Sequence, residues 1–102
     1  MSIPRLGVAA VLLLGAAAAG AVNVRGRVDF VSPGAVFPMN LAVVELCFVP
    51  TGQCLAYRTG YDGMYYFNAA PGPHVVRING TVRHQLVIPD APALDIPPLR
   101  GN

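Results

Sequence analysis

Residues 41–59, LAVVELCFVPTGQCLAYRT, hold two short β-rich runs on either side of a Pro-Thr-Gly turn. Pro50 is second and Gly52 fourth in Val49–Gly52, the positions a type I turn favours, so the runs should form a hairpin. With Val44, Leu46 and Phe48 turned inward on one strand and Leu55 and Tyr57 on the other, facing residues must have numbers of opposite parity. Pairing Leu46 with Leu55 and Val44 with Tyr57 satisfies that condition, and the same register sets Cys47 opposite Cys54. A redox pair needs two intervening residues at a helix start, and structural zinc needs four ligands; CFVPTGQC meets neither condition. The pair therefore reads as a disulfide, Cys47 to Cys54, closing a loop of about eight residues and stabilising the fold by roughly 2.5 kcal/mol on the chain-entropy model.

The rest of the chain past residue 21 carries the same pattern of short runs punctuated by Pro and Gly. In VNVRGRVDF, Val22, Val24, Gly26, Val28 and Phe30 take one face and Asn23, Arg25, Arg27 and Asp29 the other, as in a half-buried strand. VSPGAVFPMN reads as a connection, because Pro33, Gly34 and Pro38 break a ladder. MYYF is entered through Asp62-Gly63, with Tyr65 and Phe67 towards the core, and AAPGP leads on into HVVRI. At Asn79-Gly80 a two-residue turn would put Arg83 and Gln85 on the face of Val76 and Ile78. A three-residue loop with a bulge instead puts Val82, His84, Leu86 and Ile88 there, and is the expected arrangement. ALDIPPLRGN supplies one last edge strand. The sum is an all-β sandwich of about seven strands.

Ahead of it, Arg5 and the charge-free LGVAAVLLLGAAAAGA have the layout of a secretory signal peptide. The expected division is a signal-peptide helix over residues 1–21 and one domain over 22–102, secreted or periplasmic, with an oxidising compartment that suits the disulfide. The run is short of the roughly 20 apolar residues of a spanning helix, so a membrane enters only if the leader stays uncleaved. Seven arginines and no lysine give a formal net charge of +2, with Arg5 in the leader and the remaining charges scattered. That excludes the basic patch of a nucleic-acid partner.

With the strands laid out, residues 22–80 resemble the carboxypeptidase regulatory-like domain of the transthyretin-like β-sandwich group. The resemblance runs through VRGRVDF, AVVEL, Thr59, Gly63, Tyr65, Phe67, Pro71-Gly72 and HVVRI. Two positions depart from the family pattern: Gly60 stands where an acidic residue is usual, leaving its turn-stabilising role to Asp62, and His74 replaces an aromatic. The resemblance implies an accessory module of exported or surface proteins, without catalytic residues or a cofactor.

Candidate chemistry is sparse. His74 and His84 are the only imidazoles and lack the adjacent carboxylate a zinc site needs. Ser32, the only serine past the leader, has no nucleophile-elbow context. Arg100-Gly101 matches two of four terminal signature residues of 5-hydroxyisourate hydrolases, but the first strand lacks that family's catalytic histidine. Tyr61 and Tyr66 alternate away from Tyr65 and Phe67 and offer exposed rings to a glycan, the reading of the chain as a carbohydrate-binding module. The reading preferred over it is a structural or protein-interaction module that meets a protein partner, or a second copy, by edge-strand addition.

Overall fold

The structure, a computed structural model, describes residues 21–102; the expected signal peptide lies outside them except for Ala21. Among the described residues there is no helix. The strands are β1 (Val22–Ser32), β2 (Ala35–Pro38), β3 (Val43–Phe48), β4 (Cys54–Arg58), β5 (Met64–Ala69), β6 (Gly72–Ile78), β7 (Thr81–Ile88), β8 (Ala93–Asp95) and β9 (Leu99–Arg100). They form two sheets, one ordered β4-β3-β6-β7 and the other built around β1. The all-β, sandwich-like architecture is the expected one, with β2 and β9 in addition to the strands read from the sequence.

The hairpin register is the expected one, which satisfies the parity condition: Val44↔Tyr57, Leu46↔Leu55 and Cys47↔Cys54. Phe48 N–H donates to Gln53 O and Thr59 N–H to Ala42 O, which makes Cys47–Cys54 a non-hydrogen-bonded pair. That is the closer of the two kinds of antiparallel pair, and the Cα atoms lie 4.0 Å apart under the disulfide. The connecting turn is wider than a type I turn over Val49–Gly52, because Gly52 N–H bonds to Phe48 O and Gly52 adopts φ +73°.

β1 is the centre of the other sheet. Its N-terminal part pairs antiparallel with β5, Val22↔Ala69 to Arg27↔Met64, and its C-terminal part with β2, Asp29↔Pro38 to Ser32↔Ala35. Along the opposite edge β8 and then β9 run parallel to it. The segment read as a connection is thus a hairpin. Pro33 and Gly34 form its two-residue turn, Gly34 at φ +80°. Pro38 breaks nothing: Met39 N–H donates to Val28 O, so the proline nitrogen one residue earlier faces the open edge.

The second correction concerns β7. The turn at Asn79-Gly80 is the tight one, Ile78↔Thr81, with φ +50° and +87°. The bulge sits inside the strand instead, between Arg77↔Val82 and Val76↔His84, and restores parity so that His84, Leu86 and Ile88 face inward. Val82 precedes the bulge and remains outside, exposed.

Val22, Val24, Val28, Val44, Leu46 and Val76 fill the space between the sheets with the rings of Tyr65 and Phe67. Gly26 stands opposite Tyr65 across β1 and β5. A Cβ there would collide with the Tyr65 hydroxyl and Cζ and come within 3.0 Å of Cε2, so the missing side chain is the slot in which the ring lies. Phe30 was expected on this inner face, but it stands opposite Phe37 at the outer end of β1, 41% exposed, because the second sheet does not cover the β1–β2 hairpin. Leu55 and Tyr57 likewise turn inward in register but stay exposed, since β4 is an edge.

Thr59 ties the loop between β2 and β3 to the core. Its buried hydroxyl donates to Met39 O at 2.6 Å and accepts from Ala42 N at 2.9 Å, while Leu41, at φ +59°, donates to Thr59 O. Asp62 accepts from Met64 N at 3.0 Å, the turn-stabilising role assigned to it.

Candidate functional site

Because side chains alternate along a strand, the residues opposite the core line up in cross-strand rows on the outer face of the β1 sheet. Asn23 stands between Asn68 of β5 and Ala93 of β8, and Arg25 stands between Tyr66 and Asp95. The rows line an open groove of about 660 Å³. Arg25 Nε donates to Asp95 Oδ1 at 2.5 Å and Nη2 to Oδ2 at 3.5 Å. The hydrogen bond from Arg25 holds the Asp95 carboxyl below its ordinary value, and the same bond raises Arg25. Tyr66 meets Tyr57 of β4 edge-on at 5.8 Å between centroids.

The structure brings Tyr66 into this groove and leaves Tyr61 out of its lining. Tyr61 is 90% exposed in the turn before β5. Asn23, Arg25, Asn68 and Asp95 were not singled out as ligand contacts by sequence reasoning. Alternation marks Asn23 and Arg25 as outward-facing, but the parallel pairing that brings Asp95 beside them has no local signature.

A second concavity, about 490 Å³, lies beside β4, between Leu55 and the end of β5, with Leu46, Phe48 and His74 in its walls. His74 is buried, its Nδ1 3.0 Å from Gly72 O and its ring 5.1 Å from that of Phe48. His84 shares the inner face one step along, opposite Val76 where His74 is opposite Leu86. Among the described residues no three His, Cys, Asp or Glu side chains gather as a metal cluster.

The acids are held singly. Asp29 lies 2.8 Å from Arg27, and Glu45 lies 3.2 Å from Arg77. Gly101, half of the hydrolase-like Arg100-Gly101 match, has a packing role: its N–H donates to Asp29 O at 2.8 Å, and a Cβ would run into Met39 Sδ and come within 2.8 Å of Val28 Cγ1. No protein-family model matches the chain, and no curated protein matches it.

Proposed function

We propose that this chain is an exported, non-catalytic β-sandwich module of transthyretin-like build, acting by protein contact through strand addition at β4. The observation that carries the reading is the open edge of β4, all five of whose residues are exposed. Phe48 pairs with Gln53 and Ala42 with Thr59, so by alternation Leu55 and Tyr57 bond to β3, and the backbone groups of Cys54, Ala56 and Arg58 point away from it. Beside that edge lies the apolar cleft of Leu46, Phe48 and Leu55. A free ladder next to a pocket is what strand addition uses, main-chain bonds for affinity and the pocket for selection. β7, the edge at the other end of this sheet, is interrupted by its bulge, a device that discourages pairing. Export is supported by the leader-like residues 1–21 and by the disulfide, which suits an oxidising compartment.

The test is sedimentation across a concentration series, with amide hydrogen exchange measured on the same samples. Self-association with slowed exchange at Ala56 and Arg58 is expected. A strictly monomeric species whose Ala56 and Arg58 amides exchange freely at every concentration removes addition of a second copy.

A further inference from the structure

We propose that the groove over β1, β5 and β8 is a binding site for a neutral, polyhydroxylated ligand, a glycan chain laid across the sheet. The site opens on the outer face of the β1 sheet and does not use the free backbone of β4, although Asn68 also borders the cleft beside β4 and Tyr66 packs on Tyr57.

Three observations determine the chemistry. First, the floor of the groove has no backbone to offer. β1 is bonded to β5 on one side and β8 on the other, with Asn23 N–H on Pro92 O and Arg25 O accepting from Ile96 N. A peptide lying over β1 finds no main-chain partner there, since the unpaired backbone groups of β5 and β8 point outward at the sheet's two edges, and recognition over the floor falls to side chains. Second, the charges cancel in place. Arg25 and Asp95 are paired to each other, so the groove attracts neither an anion nor a cation. Third, what remains is the Asn23 and Asn68 carboxamides, directly opposed, and the half-exposed ring of Tyr66 one row along. Each carboxamide offers both a donor and an acceptor, as each sugar hydroxyl does, and neither makes a hydrogen bond to another described residue. The tyrosine ring supplies apolar surface for the C–H face of a sugar. The rows are two residues apart along β1, about 7 Å, so a ring seated on Tyr66 places its neighbouring hydroxyls over the amides. The volume of about 660 Å³ is within the size range of small-ligand sites.

The experiment titrates the purified chain with cellohexaose, maltohexaose and the tetramer of N-acetylglucosamine, each to about 10 mM, above the concentrations at which millimolar binding saturates. Backbone amide shifts are followed by NMR. Saturable shifts centred on Asn23, Arg25, Tyr66 and Asn68 with at least one sugar, and none at Ala56, are expected. Tyr66→Ala should weaken that binding about tenfold, and Asn68→Ala by a smaller factor, whereas Tyr61→Ala, outside the groove, should leave it unchanged. Asn68→Ala alters an exposed side chain and keeps the test decisive if the tyrosine variant fails to fold. The proposal is overturned if no sugar shifts the groove amides, if both groove variants bind like the unaltered chain, or if the shifts collect along β4.

Discussion

Gly26→Ala separates a local expectation from a tertiary one, because the two predict opposite signs. A glycine inside a strand costs about 0.5–1 kcal/mol relative to alanine, so the substitution should stabilise β1 if only the backbone mattered. The slot over Gly26 reverses this. The new methyl would overlap the Tyr65 hydroxyl and Cζ and lie within 3.0 Å of Cε2. To restore contact near 3.5 Å the ring must withdraw by roughly 1 Å. It has no room to do so, being fully buried with the Phe67 ring at 5.8 Å. Overpacking of this kind costs about 1–3 kcal/mol, and the rigid ring points to the upper part of that range. A net loss of about 2 kcal/mol lowers Tm by roughly 8–16 °C in a domain of this size. Thermal and urea unfolding of Gly26→Ala, Tyr65→Leu and the double variant measure the effect as a cycle. With the ring gone, Gly26→Ala should be neutral or stabilising, giving a coupling of about 2–3 kcal/mol between the two positions. A single variant as stable as the parent, or a destabilisation that persists in the Tyr65→Leu background, would refute the reasoning.

The remaining predictions concern the same core and its staple. Burial pushes the Tyr65 hydroxyl from 10.0 up to about 12, so the folded chain keeps a proton that the unfolded chain releases. Stability should be full below pH 10 and be lost as pH rises towards 12, by at most about 1.4 kcal/mol per pH unit. Tyr65→Phe should remove that alkaline slope in pH-dependent urea melts and cost little at neutral pH, because the buried hydroxyl has no hydrogen-bond partner. Reduction of Cys47–Cys54 should cost about 2.5 kcal/mol and lower Tm by roughly 10–20 °C; an unchanged melt in reductant contradicts the staple. Thr59→Val leaves Ala42 N–H and Met39 C=O without their partner and should lower stability by about 2–4 kcal/mol, seen as a lower urea midpoint at constant m. Thr59→Ser should retain most of the stability.

Several features of the fold were legible because they are local. The β3–β4 register follows from parity together with a turn placed over Val49–Gly52, and that register sets Cys47 against Cys54. The buried Val22, Val24 and Val28 of β1 follow from alternation, as do Tyr65 and Phe67 of β5. Where a local rule had two solutions, the choice was made elsewhere. The apolar face of β7 was recognised, but the extra residue that puts it inside lies at Val82–Arg83 rather than in the turn, because Asn79-Gly80 already satisfies a two-residue turn. Pro33-Gly34 likewise ends a ladder or reverses one, and the reversal is favoured because β1 has a free edge beyond β5 for β2 to take.

Residue order by itself determined that the chain past its leader-like start is all strand, that the two cysteines meet, and which side of each strand is apolar. Those are consequences of side-chain period and of chain reversal within a few residues. Only the tertiary structure decided which strands are edges, that β8 lies parallel beside β1 and carries Asp95 to Arg25, and that Gly26 leaves its space to Tyr65. Alternation states which face a residue occupies, but the backbone bonds that select its neighbours are alike for every residue type except proline and leave little mark in the sequence.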